Sequence, residues 1–172
     1  MRGSGRWYCR SCFSKIIARA SKGVYRIDEE LKLSGKDISG TNSPLEGLNE
    51  IQMHNADPAT AVRFDIYLGR MKLFAGCIAD GFIASTPYGS TGYFRSVTGK
   101  SFSKGIGLAC INPTESRTPA VVAPTPGRLF VRGKIIRGKA LLIADNNPRR
   151  ISLSEGRWFT VKISRNVARF II

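Results

Sequence analysis

Val62-Arg63-Phe64-Asp65-Ile66-Tyr67-Leu68-Gly69-Arg70-Met71-Lys72-Leu73-Phe74-Ala75 decides the fold class. Val62, Phe64, Ile66 and Leu68 alternate with more polar residues, as a strand with one buried face requires. Gly69-Arg70 then permits a tight reversal into a second strand, Met71 to Ala75. The same texture runs to the C-terminus. Short apolar runs recur at 81–85, 106–111, 120–123, 128–131, 140–144, 149–153, 158–163 and 167–172. Turns rich in Gly, Pro and Asn separate them. Closely spaced short strands predict antiparallel sheets packed as a sandwich.

Upstream of residue 47 the pattern changes. Phe13, Ile16, Ile17 and Ala20 follow helical spacing, and Gly23 is a plausible stop, so a short helix is expected over about 13–22. Leu31 to Asp37 reads as one short strand, and Gly35, Gly40 and Asn42-Ser43-Pro44 read as turn markers. The division expected is a basic segment with a short helix over 1–24 and a mainly β domain over 25–172. A chain of 172 residues is long enough for one sizeable core. It has no apolar run of membrane-spanning length, and no apolar stretch follows the basic N-terminus as a secretory leader would need.

The net charge of +15 is unevenly placed. Residues 1–26 hold seven Lys and Arg and no acid, and residues 128–172 hold eleven against two. The middle is close to neutral. Such a balance favours polyanions, whether the phosphates of a nucleotide, polyphosphate or nucleic acid, without choosing among them. It equally describes a merely soluble surface. Cys9 and Cys12 form a C-x-x-C pair, half of a zinc site or a redox couple. The remaining ligand candidates are Cys77, Cys110 and His54, and both cysteines lie in apolar surroundings that read as core. No metal site is assigned. The cysteine spacing is not that of a secreted disulfide scaffold, so a reducing cytoplasm is expected.

Thr98-Gly99-Lys100-Ser101 imitates the end of a phosphate-binding P-loop. The first glycine of that motif would fall on Phe94, so the P-loop is rejected. A better candidate is Asp80-Gly81-Phe82-Ile83-Ala84-Ser85-Thr86-Pro87-Tyr88-Gly89-Ser90-Thr91-Gly92-Tyr93. Its glycines allow tight turns or close approach to a ligand, and Ser85, Thr86, Ser90 and Thr91 offer hydroxyls. Tyr93 offers a flat face with one polar tip. Residues 90–96 suit either a helix start or a binding loop.

This stretch resembles the D-G-x-x-x-S-T-P-T-G-S-T-A-Y segment of the NAD kinase family (ATP- or polyphosphate-dependent). It departs from it at Tyr88, usually Thr or Ser, and at Gly92, usually Ala. Two further segments stand in the family's order. Leu48-Asn49-Glu50 is similar to A-L-N-E, and residues 23–31 are similar to G-x-Y-x-I-E-E-R, with Glu30 where Arg is usual. The resemblance covers about residues 14–172, weakening after Tyr93.

The resemblance implies a β-sandwich that holds NAD while phosphate passes from ATP or polyphosphate to the adenosine-ribose 2′-hydroxyl, assisted by Mg²⁺. It implies that Asn49 and Glu50 meet the adenosine end, and that Thr91 and Gly92 line the adenine pocket. Tyr93 would pack near the nicotinamide riboside with Ser96 close to the carboxamide. Ala109 would line that same pocket, and Asp80 would reach the nicotinamide from a neighbouring subunit. A homodimer or homotetramer is therefore implied, together with an N-terminal α/β domain. The family's G-G-D-G motif, whose glycines cradle ATP phosphates and whose aspartate serves the 2′-hydroxyl, does not occur in these residues. The chain is accordingly expected to bind NAD and to show little or no kinase activity alone. A non-catalytic dinucleotide-binding remnant is the rival reading. A basic β domain for RNA is a third, disfavoured because Tyr25, Tyr67 and Tyr93 show no stacking-strand pattern.

Overall fold

The computed structural model describes residues 10–115, 119–124 and 130–172. Cys9 lies outside them, as do Arg128 and Leu129 of one expected strand, and the Cys12 side chain is likewise not described.

The expected helix forms as α1 (Arg10–Ser21). It closes where expected. Gly23 N–H donates to the Ala20 carbonyl at 3.0 Å and Val24 N–H to the Arg19 carbonyl at 2.9 Å, the paired bonds of a Schellman cap. The apolar stripe of α1 is only partly covered. Ile16 lines a small crevice together with Val24, Tyr25, Ile171 and Ile172, and Phe13 and Ile17 stay exposed.

Apart from one short helix and a 3₁₀ turn, the regular structure of the remaining described residues is antiparallel β. The strands are β1 (Ile27–Asp37), β2 (Leu45–Gly47), β3 (Glu50–Asn55), β4 (Val62–Leu68), β5 (Met71–Ser85), β6 (Ile106–Pro113), β7 (Ala120–Ala123), β8 (Phe130–Arg137), β9 (Ala140–Ala144), β10 (Ile151–Leu153) and β11 (Trp158–Ile171). The order across the sheet is β10-β9-β3-β5-β4-β8-β11-β1-β2, with β6 and β7 branching from β5. Hydrogen bonding thus joins all the strands into one sheet. It curls until β1, near one end, lies against β3 and β9, near the other. The two layers of the expected sandwich are two parts of this one sheet.

Two strands are longer than their apolar runs suggest. β5 unites 71–75 with 81–85 because Gly76 (φ +59°) takes up a bulge instead of ending the strand. Asp65 pins that bulge, accepting from the Gly76 amide at 2.7 Å and from Lys72 Nζ at 2.8 Å. β11 likewise unites 158–163 with 167–171, because β1 runs beside nearly its whole length, from Ile27 opposite Ile171 to Asp37 opposite Phe159.

The principal core fills the curl with fully buried Leu33, Phe64, Phe82, Leu108, Leu142 and Phe159. A second, smaller cluster of Ile83, Phe94, Ala109 and Ile111 lies on the opposite face of β5 and β6. The C-terminal half of β5 is therefore buried on both faces, which explains its unbroken apolar run. Above the second cluster sits α2 (Tyr93–Thr98), preceded by a 3₁₀ turn at Gly89–Thr91. No helix among the described residues is long and apolar enough to cross a membrane.

Candidate functional site

β5 ends at Ser85, which pairs with Glu50 at the start of β3. This register brings two distant segments, 48–50 and 85–93, side by side. The Thr86 amide donates to the Asn49 carbonyl at 2.9 Å. Thr86 Oγ1 donates to the Leu48 carbonyl at 2.7 Å and accepts from the Gly89 amide at 3.0 Å. Gly89 rests directly on Asn49, where a Cβ would lie 2.2 Å from the Asn49 carbonyl oxygen. Ser90 Oγ lies 2.8 Å from the Pro87 carbonyl and 2.7 Å from the Phe102 carbonyl, sharing one proton between them. Ser85, Thr86 and Ser90 are buried. Their hydroxyls, which the sequence offered to a ligand, are committed to holding the turn. Thr91 and Gly92 emerge from it exposed.

A residue absent from the sequence reading locks the other side. Asp145, at φ +45° after β9, accepts from three consecutive amides. Leu48 N–H reaches Oδ2 at 2.7 Å, and those of Asn49 and Glu50 reach Oδ1 at 2.9 Å each. The Asp145 amide returns a bond to the Glu50 carbonyl at 3.2 Å. Its sequence signal, Asp145-Asn146-Asn147, says only that a turn occurs there. The backbone of Asn49 and Glu50 is thus clamped between two loops, which frees the Asn49 side chain from structural duty.

Glu50 is 8% exposed, an unusual place for a carboxyl group. Burial, and then the nearby charge of Asp145, push it up from an ordinary 4.5 to about 7, against a stabilising bond from Gln52 Nε2 at 3.2 Å. The Tyr93 phenol is raised as well, by burial first and then by the negative charges of Asp80 and Glu50. Asp80 Oδ2 accepts from Asn112 Nδ2 at 2.9 Å. Asn112 in turn lines an open cleft of about 410 Å³ with Tyr93, Ser96, Val97, Ile111, Pro113 and Glu115.

Of the expected site residues, Tyr93 and Ser96 line this cleft. Asn49 and Glu50 lie against the turn that follows β5, Thr91 and Gly92 are exposed between that turn and α2, and Asp80 meets the cleft through Asn112. Ala109 differs: it is fully buried in the cluster beneath α2 and does not line the cleft. Tyr88, the odd residue of the motif, points away and stacks on Phe170 of β11 at 5.5 Å and 11°.

Among the described residues no group of three or more His, Cys, Asp or Glu could hold a metal ion. Asp145 spends both oxygens on amides, which leaves Glu50 without a second carboxylate to share a cation, so the donor set here does not fit Mg²⁺. Cys77 and Cys110 are both buried, their sulfurs 3.0 Å apart.

The arrangement is that of an open polar cleft beside a clamped backbone, and the chain that builds it is similar to known proteins. The NAD kinase of Thermococcus kodakarensis is 32% identical over 133 residues, covering 75% of this chain and 47% of the relative. The bifunctional NADP phosphatase/NAD kinase of Methanocaldococcus jannaschii is 30% identical over 146 residues, covering 81% of this chain and 25% of the relative. The chain thus spans between a quarter and a half of these two relatives. Among solved structures, yeast NADH kinase complexed with NADH superimposes with a TM-score of 0.79 at 20% identity, covering 92% of this chain and 48% of that one. An NAD kinase from Archaeoglobus fulgidus in complex with ATP gives 0.73 at 20% identity, covering 92% and 59%. These two likenesses establish the fold, the expected mainly β architecture. The model of the ATP-NAD kinase C-terminal domain matches residues 48–172, from the clamped Leu48-Asn49-Glu50 to the last strand, and the chain belongs to that family.

Proposed function

We propose that this chain is the NAD-holding part of an NAD kinase, which phosphorylates the adenosine-ribose 2′-hydroxyl with ATP or polyphosphate as donor. One observation carries this reading: the pairing of β3 with β5 and the Thr86–Asn49 bond set the Asn49-Glu50 pair against the turn that leads to Tyr93 and the cleft. Asn49, its backbone fixed by Thr86 and Asp145, presents an amide that can pair with an adenine edge. Glu50, when ionised, accepts from a ribose hydroxyl. Thr91 and Gly92 give the adenine an exposed, small-residue wall. Tyr93 supplies a ring face for the nicotinamide riboside, with Ser96 one helical turn on for the carboxamide. Ala109 acts from beneath, its small side chain letting Phe94 and α2 sit low on β6.

The resemblance put Asp80 across a subunit boundary. In a homodimer or homotetramer it would reach the nicotinamide end of a neighbouring copy's site, while within its own chain it accepts from Asn112. The family's phosphate-cradling G-G-D-G sequence does not occur among these residues, so the chain is expected to bind without transferring. The reaction's magnesium has no donor set here, and no step is assigned to it.

Calorimetric titration of NAD into the chain, with Asn49→Ala and Asp80→Ala alongside, tests this. Asn49 makes its structural bonds through the backbone alone, so its truncation leaves the clamp intact. Saturable binding, weakened at least about tenfold in each variant, is expected. Binding that neither variant alters would overturn the assignment, and efficient NADP formation by the chain alone would overturn the division of labour.

A further inference from the structure

The outer face of β4, β8, β11 and β1 takes no part in the cleft, and the fold assembles there what the sequence scatters. Tyr67 lies opposite Arg132, Asp65 and Trp158 each lie opposite Lys134, and Thr160 lies between Arg132 and Lys36. Lys162 follows two positions after Thr160. Directly opposed residues, and those two apart along a strand, share a face. On this face the Tyr67 and Trp158 rings are 5.7 Å apart. The Arg132 guanidinium is 5.8 Å from the Tyr67 ring and 5.7 Å from the Trp158 ring. Lys134 Nζ is 5.7 Å from the Trp158 ring and Lys72 Nζ is 5.3 Å from that of Tyr67. All lie within cation–π range.

The acids of the face are already engaged. Asp65 holds Lys72 at 2.8 Å and Glu46, at the edge on β2, holds Lys32 at 2.8 Å. Lys36, Arg132, Lys134 and Lys162 have no ion-pair partner among the described residues. Arg132 Nε is moreover buried with no hydrogen-bond partner. Arg132 Nη2 donates to the Gly69 carbonyl at 3.4 Å, so the guanidinium is held against the two rings.

Four cations without an ion-pair partner, spread over the three adjacent strands β8, β11 and β1, about 10 Å at the usual strand spacing, call for an extended polyanion. A second copy of this chain, at +15, would set like charge on like. Polyphosphate would satisfy the cations and leave the two rings unused. A duplex would hide the bases from them. Single-stranded nucleic acid offers both phosphates for the cations and flat rings for stacking on tyrosine, tryptophan or guanidinium planes. We propose that this face binds single-stranded nucleic acid, with phosphates on Lys36, Lys134 and Lys162 and bases stacked over Tyr67, Arg132 and Trp158. The sequence reading disfavoured RNA for want of a stacking pattern; Tyr67 and Trp158 become such a pattern only when β8 is laid between their strands.

The test is fluorescence anisotropy of a labelled oligouridylate of about twelve nucleotides, titrated with the whole chain. Trp158→Leu and the double variant Lys134→Gln/Lys162→Gln are run beside it, with inorganic polyphosphate as second ligand. Saturable binding that falls steeply with salt is expected. Each variant should weaken it tenfold or more, and the lysine variant should also flatten the salt slope. Trp158→Leu should leave polyphosphate binding unchanged, and Trp158→Phe, which keeps a ring, should retain most of the oligonucleotide affinity should the leucine variant fail to fold. Saturating NAD should displace nothing, which separates this proposal from the fate of the NAD reading. Absence of binding, indifference to both variants, or displacement by NAD would each overturn it.

Discussion

Glu50 carries the most testable physics of any single residue. Its folded-state value of about 7 lies above the ordinary 4.5 because the site withholds water and sets Asp145 nearby. Below about pH 4.5 the carboxyl is protonated whether or not the chain is folded, and it costs nothing. As pH rises from 4.5 towards 7 the unfolded chain ionises first, so stability is lost across that window and stays lost above it. The full loss is at most about 3 kcal/mol at 1.36 kcal/mol per pH unit. Glu50→Gln should therefore raise the melting temperature at pH 8 and change it little at pH 5, as differential scanning calorimetry can record. The same titration governs the proposed function. If ionised Glu50 receives a ribose hydroxyl, NAD affinity should climb between pH 6 and pH 8 in the native chain and stay flat and weak in Glu50→Gln. Asp145→Asn tests the clamp from its other side. Asparagine tolerates the left-handed backbone, so what is removed is charge-assisted bonding to three amides. A loss of about 1–3 kcal/mol in urea unfolding is expected, with a lower pH midpoint for NAD binding because Glu50 loses a negative neighbour.

At the scale of elements, the turn between β5 and α2 is built by contact with β3. Gly89→Ala would put a methyl group 2.2 Å from the Asn49 carbonyl oxygen, and both sides of that contact are backbone, with no side-chain tip to yield. The turn must lift off β3. Destabilisation of about 1–3 kcal/mol is expected, with NAD binding lost to calorimetry even where the variant stays folded. This contact also shows why the site was only half legible. Asp80, Tyr93 and the Asn49-Glu50 pair were readable because they lie in contiguous motifs. The tasks of Ser85, Thr86 and Ser90 were not, since a hydroxyl serving a ligand and one serving a turn look alike until its partners across β3 and at Phe102 are in place. Asp145 was wholly hidden: it meets Leu48, Asn49 and Glu50 from 95 to 97 residues away. Strand lengths failed for a related reason. A bulge at Gly76 and a glycine turn leave the same trace in sequence, and the partner that carries β11 through residues 164–166 is β1, at the opposite end of the chain.

For the whole molecule, period-two alternation and dense turns told correctly that the architecture is antiparallel β. They could not tell that the layers are one sheet, because strand order depends on which edges meet in space. Closure depends on a narrow contact. Gly35, on the inner face of β1 opposite Val161, sits where a Cβ would come within 2.8 Å of Ile51 Cγ2 on β3 and 3.2 Å of Leu142 Cδ2 on β9. Leu142 Cδ2 is a side-chain tip that can move, but Ile51 Cγ2 is the branch methyl of a fully buried side chain, so Gly35→Ala should already cost about 1 kcal/mol, whereas Gly35→Leu must spread the curl and should cost about 3 kcal/mol. Because every strand is tied to the same hydrogen-bonded sheet, the loss should not be local. Urea unfolding followed by tryptophan fluorescence, which sees Trp158 on β11, and by far-ultraviolet circular dichroism, which sees all strands, should shift together to a lower midpoint with a common slope. If the two signals instead separated in Gly35→Leu, the layers would be unfolding as independent bodies, and the closed single sheet would be the wrong description of what holds this molecule together.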